Sequence, residues 1–166
     1  MLILVEGVDG SGKTTLCKRL IDDLKLEQVV VDRTSKDYNE QWENLLKRSE
    51  NSNLICDRAV LTELVYRVKL GGDTNMKLST VEKVLSNKHT INIFCRTETE
   101  FKDAMTRGED NITDEDTSTS LSYMYLIMLA IYVKFSNISV VQYNWQENTY
   151  ESLIRFIKKD GGIIMT

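Results

Sequence analysis

The sequence predicts an α/β protein in which helices flank a five-stranded parallel sheet, and two observations indicate this class. Short apolar runs rich in Val, Ile and Leu recur along the chain, as expected for strands that are covered on both faces. Longer stretches with helical spacing separate these runs. Strand–helix alternation of this kind produces a three-layer sandwich with right-handed crossovers.

The predicted elements follow one another without an internal repeat or a low-complexity segment. The chain of 166 residues contains no proline and is expected to form one domain, 1–166. The five predicted strands are Leu2–Glu6, 29–32, 53–57, Thr90–Cys95 and 138–142. The seven predicted helices are Lys13–Leu24, 37–49, Val60–Leu70, 78–86, 98–106, 117–135 and 147–159.

Composition and charge narrow the choice of partners. A net charge of −4 and a pI near 5.1 argue against electrostatic binding to a nucleic acid polymer or to an anionic membrane. The three cysteines show no paired spacing and are interpreted as reduced core thiols. The apolar run at 2–5 is too short for a signal peptide or a membrane span. We therefore expect a soluble, cytoplasmic protein whose positive charge surrounds a small anionic ligand.

A glycine-rich segment between the first strand and the first helix predicts a phosphate site. Residues 7–14, GVDGSGKT, fit the pattern GxxxxGK[ST]. Its glycines let backbone N–H groups converge on phosphate oxygens, and the start of the helix adds positive potential. Lys13 is expected to reach the β- and γ-phosphates of ATP, and Thr14 to ligate Mg²⁺. The predicted ATP-binding residues are Gly7, Asp9, Gly10, Ser11, Gly12, Lys13, Thr14 and Thr15.

Charged residues lie at the carboxyl ends of other predicted strands, where doubly wound sheets bind their ligands. Asp57 ends the third strand and is predicted to complete the Mg²⁺ shell, although it could also cap the next helix. Arg58 and Arg33 follow the third and second strands, where a guanidinium group can grip the phosphate of an acceptor. For Arg58 the alternative is a surface ion pair.

Two segments resemble the thymidylate kinase family. EGVDGSGKTT at 6–15 resembles the P-loop of this family, and Asp57–Arg58, Thr62 and Tyr66–Arg67 resemble its DRY-xx-S-xx-AYQ element. Arg33 is similar to the arginine in the family's T-R-E-P segment. The resemblance implies a P-loop kinase sandwich that uses ATP with Mg²⁺. It also implies transfer of the γ-phosphoryl group to a deoxynucleoside monophosphate, with dTMP as the expected acceptor.

The resemblance assigns roles to single residues as well. Asp9 would hydrogen-bond the 3′-hydroxyl of a deoxynucleotide, unless it forms only an Asx turn within its loop. Some family members carry an arginine at the position of Gly10, and others supply this cation from a lid, which here would lie near 97–117. Arg107 is therefore the predicted lid arginine, with a solvated charged loop as the alternative. The predicted catalytic residues are Lys13, Asp57, Arg58 and Arg107.

Aromatic residues are candidates for holding the acceptor base. Trp42 and Tyr66 fall in helices that would border the acceptor, although aromatics at helical spacing more often belong to the core. The resemblance also implies a homodimer through the helix Val60–Leu70, whose apolar residues could equally be absorbed by the core. The predicted substrate-binding residues are Asp9, Arg33, Trp42, Arg58 and Tyr66.

Two other functions stay open. Deoxynucleoside kinases share this scaffold, and Asp32 with Trp42 loosely matches their catalytic carboxylate and the tryptophan that follows it. Asp32 would then be the general base for a sugar 5′-hydroxyl. The thin lid and the short segment between Arg33 and Asp57, relative to thymidylate kinases, favour a nucleotide-binding module without turnover, whereas the intact Lys13, Thr14, Asp57 and Arg58 oppose it. A regulatory GTPase is excluded, because NKHT at 87–90 lacks the aspartate of the guanine-binding NKxD element.

Overall fold

A five-stranded parallel sheet forms the middle layer of the protein. The structure, a computed structural model, describes residues 1–32, 34–70, 75–96, 102, 106, 114–136, 138, 140–147 and 150–160. The strands are β1 (Leu2–Glu6), β2 (Glu27–Val29), β3 (Leu54–Asp57), β4 (Thr90–Cys95) and β5 (Val140–Tyr143). They pair in the order β2-β3-β1-β4-β5, and every pairing is parallel. The predicted α/β class with a five-stranded parallel sheet is confirmed.

The described part of the chain contributes six α-helices. They are α1 (Lys13–Leu24), α2 (Tyr38–Ser49), α3 (Val60–Leu70), α4 (Leu78–Leu85), α5 (Glu115–Ser136) and α6 (Tyr150–Asp160). A 3₁₀ turn at Trp145–Glu147 precedes α6. These helices agree with the predicted ones to within three residues at each end. The predicted helix at 98–106 lies mostly outside the described residues, of which only Lys102 and Thr106 fall in it, and both are helical.

The sheet separates two apolar cores. Leu2 and Leu4 of β1 pack into a core with α2, α3, α4 and α5. Ile3 and Val5 point to the opposite face and pack with α1 and α6, since successive residues of a strand alternate between faces. Burying one such side chain stabilises the fold by about 1.5–3 kcal/mol. Because both faces are covered, β1 is apolar at consecutive positions, and the predicted three-layer sandwich is confirmed.

The second strand lies earlier in the chain than predicted. β2 spans Glu27–Val29, and its residues pair with Leu54, Ile55 and Cys56 of β3. The predicted strand 29–32 is therefore wrong in its position. β2 is an edge strand with a single paired neighbour, so polar residues suit it, and its Glu27 and Gln28 are exposed. The apolar run at 29–31 suggested a later strand, but only Val29 belongs to β2, and beyond its end Val31 is buried while Val30 is 84% exposed.

The strand order creates a crevice at the carboxyl edge of the sheet. β1 is central, with β3 and β2 on one side and β4 and β5 on the other. Ligands of open parallel sheets bind where the winding changes direction in this way. The loop after β1 and the turn after β3 meet at this edge, because β1 and β3 are neighbours and Val5 pairs with Asp57. Among the described residues, no helix is both long and apolar enough to cross a membrane.

Candidate nucleotide-binding site

The loop at 7–12 joins β1 to α1 and approaches the sheet closely. At Gly7, with a φ of 141°, an added Cβ would lie 2.3 Å from the carbonyl oxygen of Cys95 in β4. Gly12, with a φ of 86°, is the left-handed residue at which α1 begins. Any larger residue at these two positions would be strained. The loop therefore presents its backbone and the first turn of α1 to the crevice, as an anion site requires.

Lys13 lies inside this loop. Its side chain is buried, and Nζ donates a hydrogen bond to the Val8 carbonyl oxygen at 2.6 Å. The carboxylate of Asp9 lies 3.8 Å from the same ammonium group. Burial lowers the pKa of Lys13, because it penalises the charged form, while Asp9 raises it. The structure thus holds a buried ammonium group within the predicted phosphate site.

Thr14 and Asp57 come together from α1 and β3. The Thr14 hydroxyl donates a hydrogen bond to Asp57 Oδ2 at 2.7 Å. Asp57 Oδ1 is buried and has no hydrogen-bond partner among the described residues. Those residues contain no group of three or more His, Cys, Asp or Glu side chains that could hold a metal ion. Mg²⁺ typically takes one or two protein ligands and completes its shell with water and phosphate oxygens, and the orphaned Asp57 oxygen fits that pattern.

Arg58 reaches the phosphate loop from the end of β3. Its backbone has a φ of 65°, a left-handed conformation that is rare for residues other than glycine. A residue held in such a conformation destabilises the folded state by about 1–3 kcal/mol, and residues of this kind cluster at functional sites. The guanidinium Nη2 lies 2.5 Å from Asp9 Oδ1, and Asp9 is only 1% exposed. Arg58 therefore pairs with a buried carboxylate of the loop while its own side chain stays 26% exposed, and its role toward an acceptor phosphate stays a prediction.

Tyr66 meets the same loop from α3. It is largely buried, and its hydroxyl oxygen accepts a hydrogen bond from the Asp9 N–H at 3.3 Å. Asp9 is thus in contact with Lys13, Arg58 and Tyr66 together. The structure brings these predicted site residues into one cluster, although they come from the loop, the end of β3 and α3.

A second part of the site was missed by the sequence analysis. A cavity of about 490 Å³ opens beside the phosphate loop. Trp145, just after β5, is half-exposed and lines it together with Tyr143 and Arg19. The Arg19 guanidinium also stacks on the Tyr150 ring, 3.4 Å from its centroid. The remaining lining residues are Gly10, Gly12, Thr15, Leu16 and Thr106.

This cavity has the size and lining of a nucleobase pocket. Ligand pockets combine apolar and aromatic walls with a few polar groups, and their volumes are about 300–1,000 Å³. Trp145 Cδ1 lies so close to Gly12 that an added Cβ there would be 2.9 Å away. Gly10, Gly12 and Thr15 of its lining were predicted to bind ATP, whereas the signal for Trp145 was an aromatic residue just past the end of a strand, where the sheet binds its ligands.

Three further residues that were predicted for the site, Trp42, Arg33 and Arg107, are not seen in the cluster around Asp9. Trp42 is 1% exposed and packs in the core, where it makes an edge contact with the Tyr38 ring at 6.3 Å. This position agrees with the alternative that Trp42 is a packing residue, and its role toward a substrate stays a prediction. Arg33 and Arg107 lie outside the described residues.

Asp32, the alternative general base, is exposed after β2. Its Oδ1 accepts hydrogen bonds from the Thr34 N–H and hydroxyl at 2.9 and 2.7 Å. These bonds lower the pKa of Asp32, the side-chain bond most of all. A carboxylate stabilised in its charged form is a weaker proton acceptor.

The fold is that of P-loop nucleotide and nucleoside kinases. One similar structure is the YorR protein of Bacillus subtilis in complex with phosphorylated GDP. The match covers 99% of this chain and 100% of that chain, with a TM-score of 0.76 and 17% identity. Deoxyadenosine kinase from M. mycoides with bound dATP gives a TM-score of 0.60 at 16% identity, covering 96% of this chain and 100% of that chain. No protein-family model and no curated protein sequence matches the chain.

Thymidylate kinase from Candida albicans is also similar. Its TM-score is 0.59 at 16% identity, and the match covers 98% of this chain and 93% of that chain. Identities this low show a shared fold and leave the substrate open. The expected P-loop kinase fold is confirmed over nearly the full chain.

Proposed function

We propose that this protein is an ATP-dependent nucleoside monophosphate kinase of the thymidylate kinase type, with dTMP as its acceptor. The observation that carries the proposal is the cluster around Asp9. There the buried Lys13 of the phosphate loop and Arg58 from the end of β3 meet a single carboxylate. Phosphoryl transfer requires two anions to be held against each other, and this cluster provides one cation for each.

The donor nucleotide would occupy the loop and the cavity beside it. Its phosphates would meet the loop N–H groups and Lys13, and its base would stack on Trp145. Thr14 and Asp57 would hold Mg²⁺, which would neutralise negative charge on the phosphates of the donor. The cavity opens next to Gly10 and Gly12, so a base bound there is continuous with phosphates bound by the loop.

The acceptor phosphate would bind at Arg58. In the transfer step one of its oxygens forms a bond to the γ-phosphorus, while the bond from this phosphorus to the bridging oxygen of ADP breaks. No general base is needed, since the attacking oxygen is already anionic. Asp9 holds Arg58 before any substrate is bound. Little conformational entropy is therefore lost in orienting Arg58 when the acceptor binds. Asp9 and Tyr66 would face the sugar and the base, and Arg33 would add a second cation.

A lid near 97–117 would close over the transferred group and supply Arg107, within a single kinase domain that spans 1–166. Thr106, its neighbour in the chain, lines the donor cavity, which supports this position for the segment. A cation over the transferring group stabilises the charge that develops in the transition state. Lys13, Asp57, Arg58 and Arg107 remain the proposed catalytic residues, and the cytoplasm is the proposed location.

A homodimer is also proposed, with a different surface from the one expected. The surface expected on α3 is largely absorbed by the core, because Val60, Leu61, Leu64 and Val65 are buried, whereas Val68 is exposed. The neighbouring α5 exposes Tyr123, Ile127 and Ile131, which are four residues apart and share one helix face. This stripe lies on α5, a helix that packs against α3, and it is the more suitable surface.

Deoxynucleoside kinase activity is the second candidate. The observation in its favour is the similarity to deoxyadenosine kinase, whose TM-score equals that of the thymidylate kinase within 0.01. Asp32 argues against it, because it is exposed and its pKa is lowered. A base that accepts a proton from a sugar hydroxyl usually has a raised pKa.

Incubation with Mg-ATP and a panel of monophosphates and nucleosides separates these functions. We expect ADP to form with dTMP and not with thymidine, and Asp32→Asn to leave this rate unchanged. Product from thymidine alone, lost in Asp32→Asn, would establish the nucleoside kinase instead. ATP binding without consumption of any acceptor would establish a nucleotide-binding module without turnover.

A further inference from the structure

A buried carboxylate at the end of β1 holds the start of α3. Glu6 is 1% exposed, and its Oε1 accepts a hydrogen bond from the Leu61 N–H at 2.8 Å. Its Oε2 accepts from the Ala59 N–H at 3.3 Å and from the Thr62 N–H at 3.0 Å. The first N–H groups of a helix lack partners within the helix and favour a negative charge nearby. Glu6 therefore ties the first turn of α3 to the strand that leads into the phosphate loop.

The Thr62 hydroxyl extends this contact to a third element. It donates a hydrogen bond to Glu6 Oε2 at 2.5 Å and accepts one from the hydroxyl of Tyr125 in α5 at 2.8 Å. A hydroxyl has one proton and two lone pairs, so it can make both bonds at once. Burial raises the pKa of Glu6, and its hydrogen bonds, which favour the charged form, oppose that shift. The result is a buried chain of hydrogen bonds from α5 through α3 to β1.

Arg58 and Tyr66 lie on either side of this anchor. Arg58 directly precedes the N–H groups that Glu6 binds, and Tyr66 follows Thr62 by one helical turn on the same helix face. Both residues contact Asp9, three positions after Glu6 in the chain. A shift of α3 relative to β1 would therefore move Arg58 and Tyr66 together, away from the phosphate loop.

We propose that Glu6 and Thr62 are positioning residues for the acceptor, which set the distance of Arg58 and Tyr66 from the phosphate loop. The kinetic part of this inference rests on the proposed function. Lys13 and Thr14 belong to α1, whose packing lies on the opposite face of the sheet. Donor binding should for this reason depend little on the chain from Glu6 to Tyr125.

The kinetic test compares Thr62→Val, which keeps the shape of the side chain but removes the hydroxyl, with Thr62→Ser, which keeps the hydroxyl. We expect Thr62→Val to raise the KM for dTMP about tenfold, because a hydrogen bond to a charged group is lost. Thr62→Ser should restore the wild-type KM, and the KM for ATP should not change in either variant. A dTMP KM equal in both variants, or a rise of both KM values by the same factor, overturns the proposal.

Amide hydrogen exchange gives a second readout that does not require turnover. In Thr62→Val the Leu61 amide should exchange faster than in Thr62→Ser, while the Leu20 amide in α1 should exchange equally in both. If the wild type transfers phosphate to no monophosphate, the proposed function fails, and equal exchange at Leu61 would then also refute the anchor. If Thr62→Val does not fold, Tyr125→Phe replaces it, with the same expected directions in both measurements.

Discussion

Arg58 Nη2 lies 2.5 Å from Asp9 Oδ1, and this ion pair of a half-buried arginine with a buried carboxylate joins the end of β3 to the phosphate loop. The backbone of the arginine is left-handed, with a φ of 65°. Removing one partner of a buried pair leaves an uncompensated charge, so the arrangement is costly to disturb. The acceptor side and the donor side of the proposed site therefore share one carboxylate.

Arg58→Lys should weaken acceptor binding while it preserves charge. Lysine lacks the planar fork that grips a phosphate at two points, so we expect the KM for dTMP to rise about tenfold. Arg48→Lys is the matched control, because Arg48 pairs with Glu27 at 2.7 Å on the surface, and its exposed ion pair should contribute little. Initial rates at saturating ATP measure both KM values. An Arg58→Lys enzyme with the wild-type KM would show that Arg58 does not hold the acceptor.

The affinity for ADP should fall at alkaline pH because of Lys13. Burial lowers the pKa of Lys13 from its ordinary value of 10.5, so the ammonium group loses its proton below that pH. Phosphate binding needs the charged form, and the affinity should therefore decrease as the pH rises toward 10.5. Titration calorimetry from neutral to alkaline pH measures this slope.

Two variants isolate the contribution of Lys13 to that slope. Lys13→Arg keeps its charge over the whole range and should bind ADP with a flatter pH dependence. Lys13→Ala should bind weakly at every pH and lower the transfer rate by a factor of about 100 or more, as expected when a charge-stabilising group is removed. Equal alkaline slopes in the wild type and Lys13→Arg would mean that another group causes the decrease.

Thr14→Val should raise the Mg²⁺ concentration required for half the maximal rate. The substitution keeps the side-chain shape but removes the hydroxyl that contacts Asp57 at 2.7 Å. Thr14→Ser retains a hydroxyl and should need nearly the wild-type concentration. Rates measured over a Mg²⁺ titration at constant ATP test this prediction. If Thr14→Val and Thr14→Ser require the same concentration, the hydroxyl is not a metal ligand.

Trp145 should report the binding of the donor base. Trp145→Ala is expected to raise the Kd for ADP about tenfold, because stacking of a base on an aromatic ring is lost. The Kd for tripolyphosphate, which has no base, should stay the same. ADP should also change the tryptophan emission of the wild type but not that of Trp145→Phe, whose remaining tryptophan, Trp42, is buried in the core. A change in emission that persists in Trp145→Phe would place the base elsewhere.

The sequence was sufficient to predict the sheet, most helices and the phosphate loop. The loop pattern demands fixed spacing between Gly7, Gly12 and Lys13 as well as a strand before and a helix after it, so a chance match is rare. Strands that are covered on both faces have apolar residues at consecutive positions, which makes them easy to locate. Both ends of β1 and of β4 were predicted correctly. The edge strand β2 was misplaced, because pairing on one side imposes a weaker pattern.

Contacts between residues that are far apart in the chain could not be predicted from local sequence patterns. Nothing in the sequence around Arg58 indicates its left-handed backbone or its pairing with Asp9, 49 positions earlier in the chain. The cavity beside the phosphate loop combines Arg19 and Trp145 from opposite ends of the chain. Side chains at such separations meet only through the packing of the whole fold, which spacing rules do not describe.

Phosphorus NMR of one reaction that contains the protein, Mg-ATP and equal amounts of dTMP and thymidine tests the central claim most directly. The proposed kinase predicts that the dTMP signal decreases while ADP and dTDP appear in equal amounts. The same reaction with Arg58→Lys should form dTDP more slowly at low dTMP. An increase of the dTMP signal at the expense of ATP, with no dTDP formed, would contradict the account and identify the sugar hydroxyl as the acceptor.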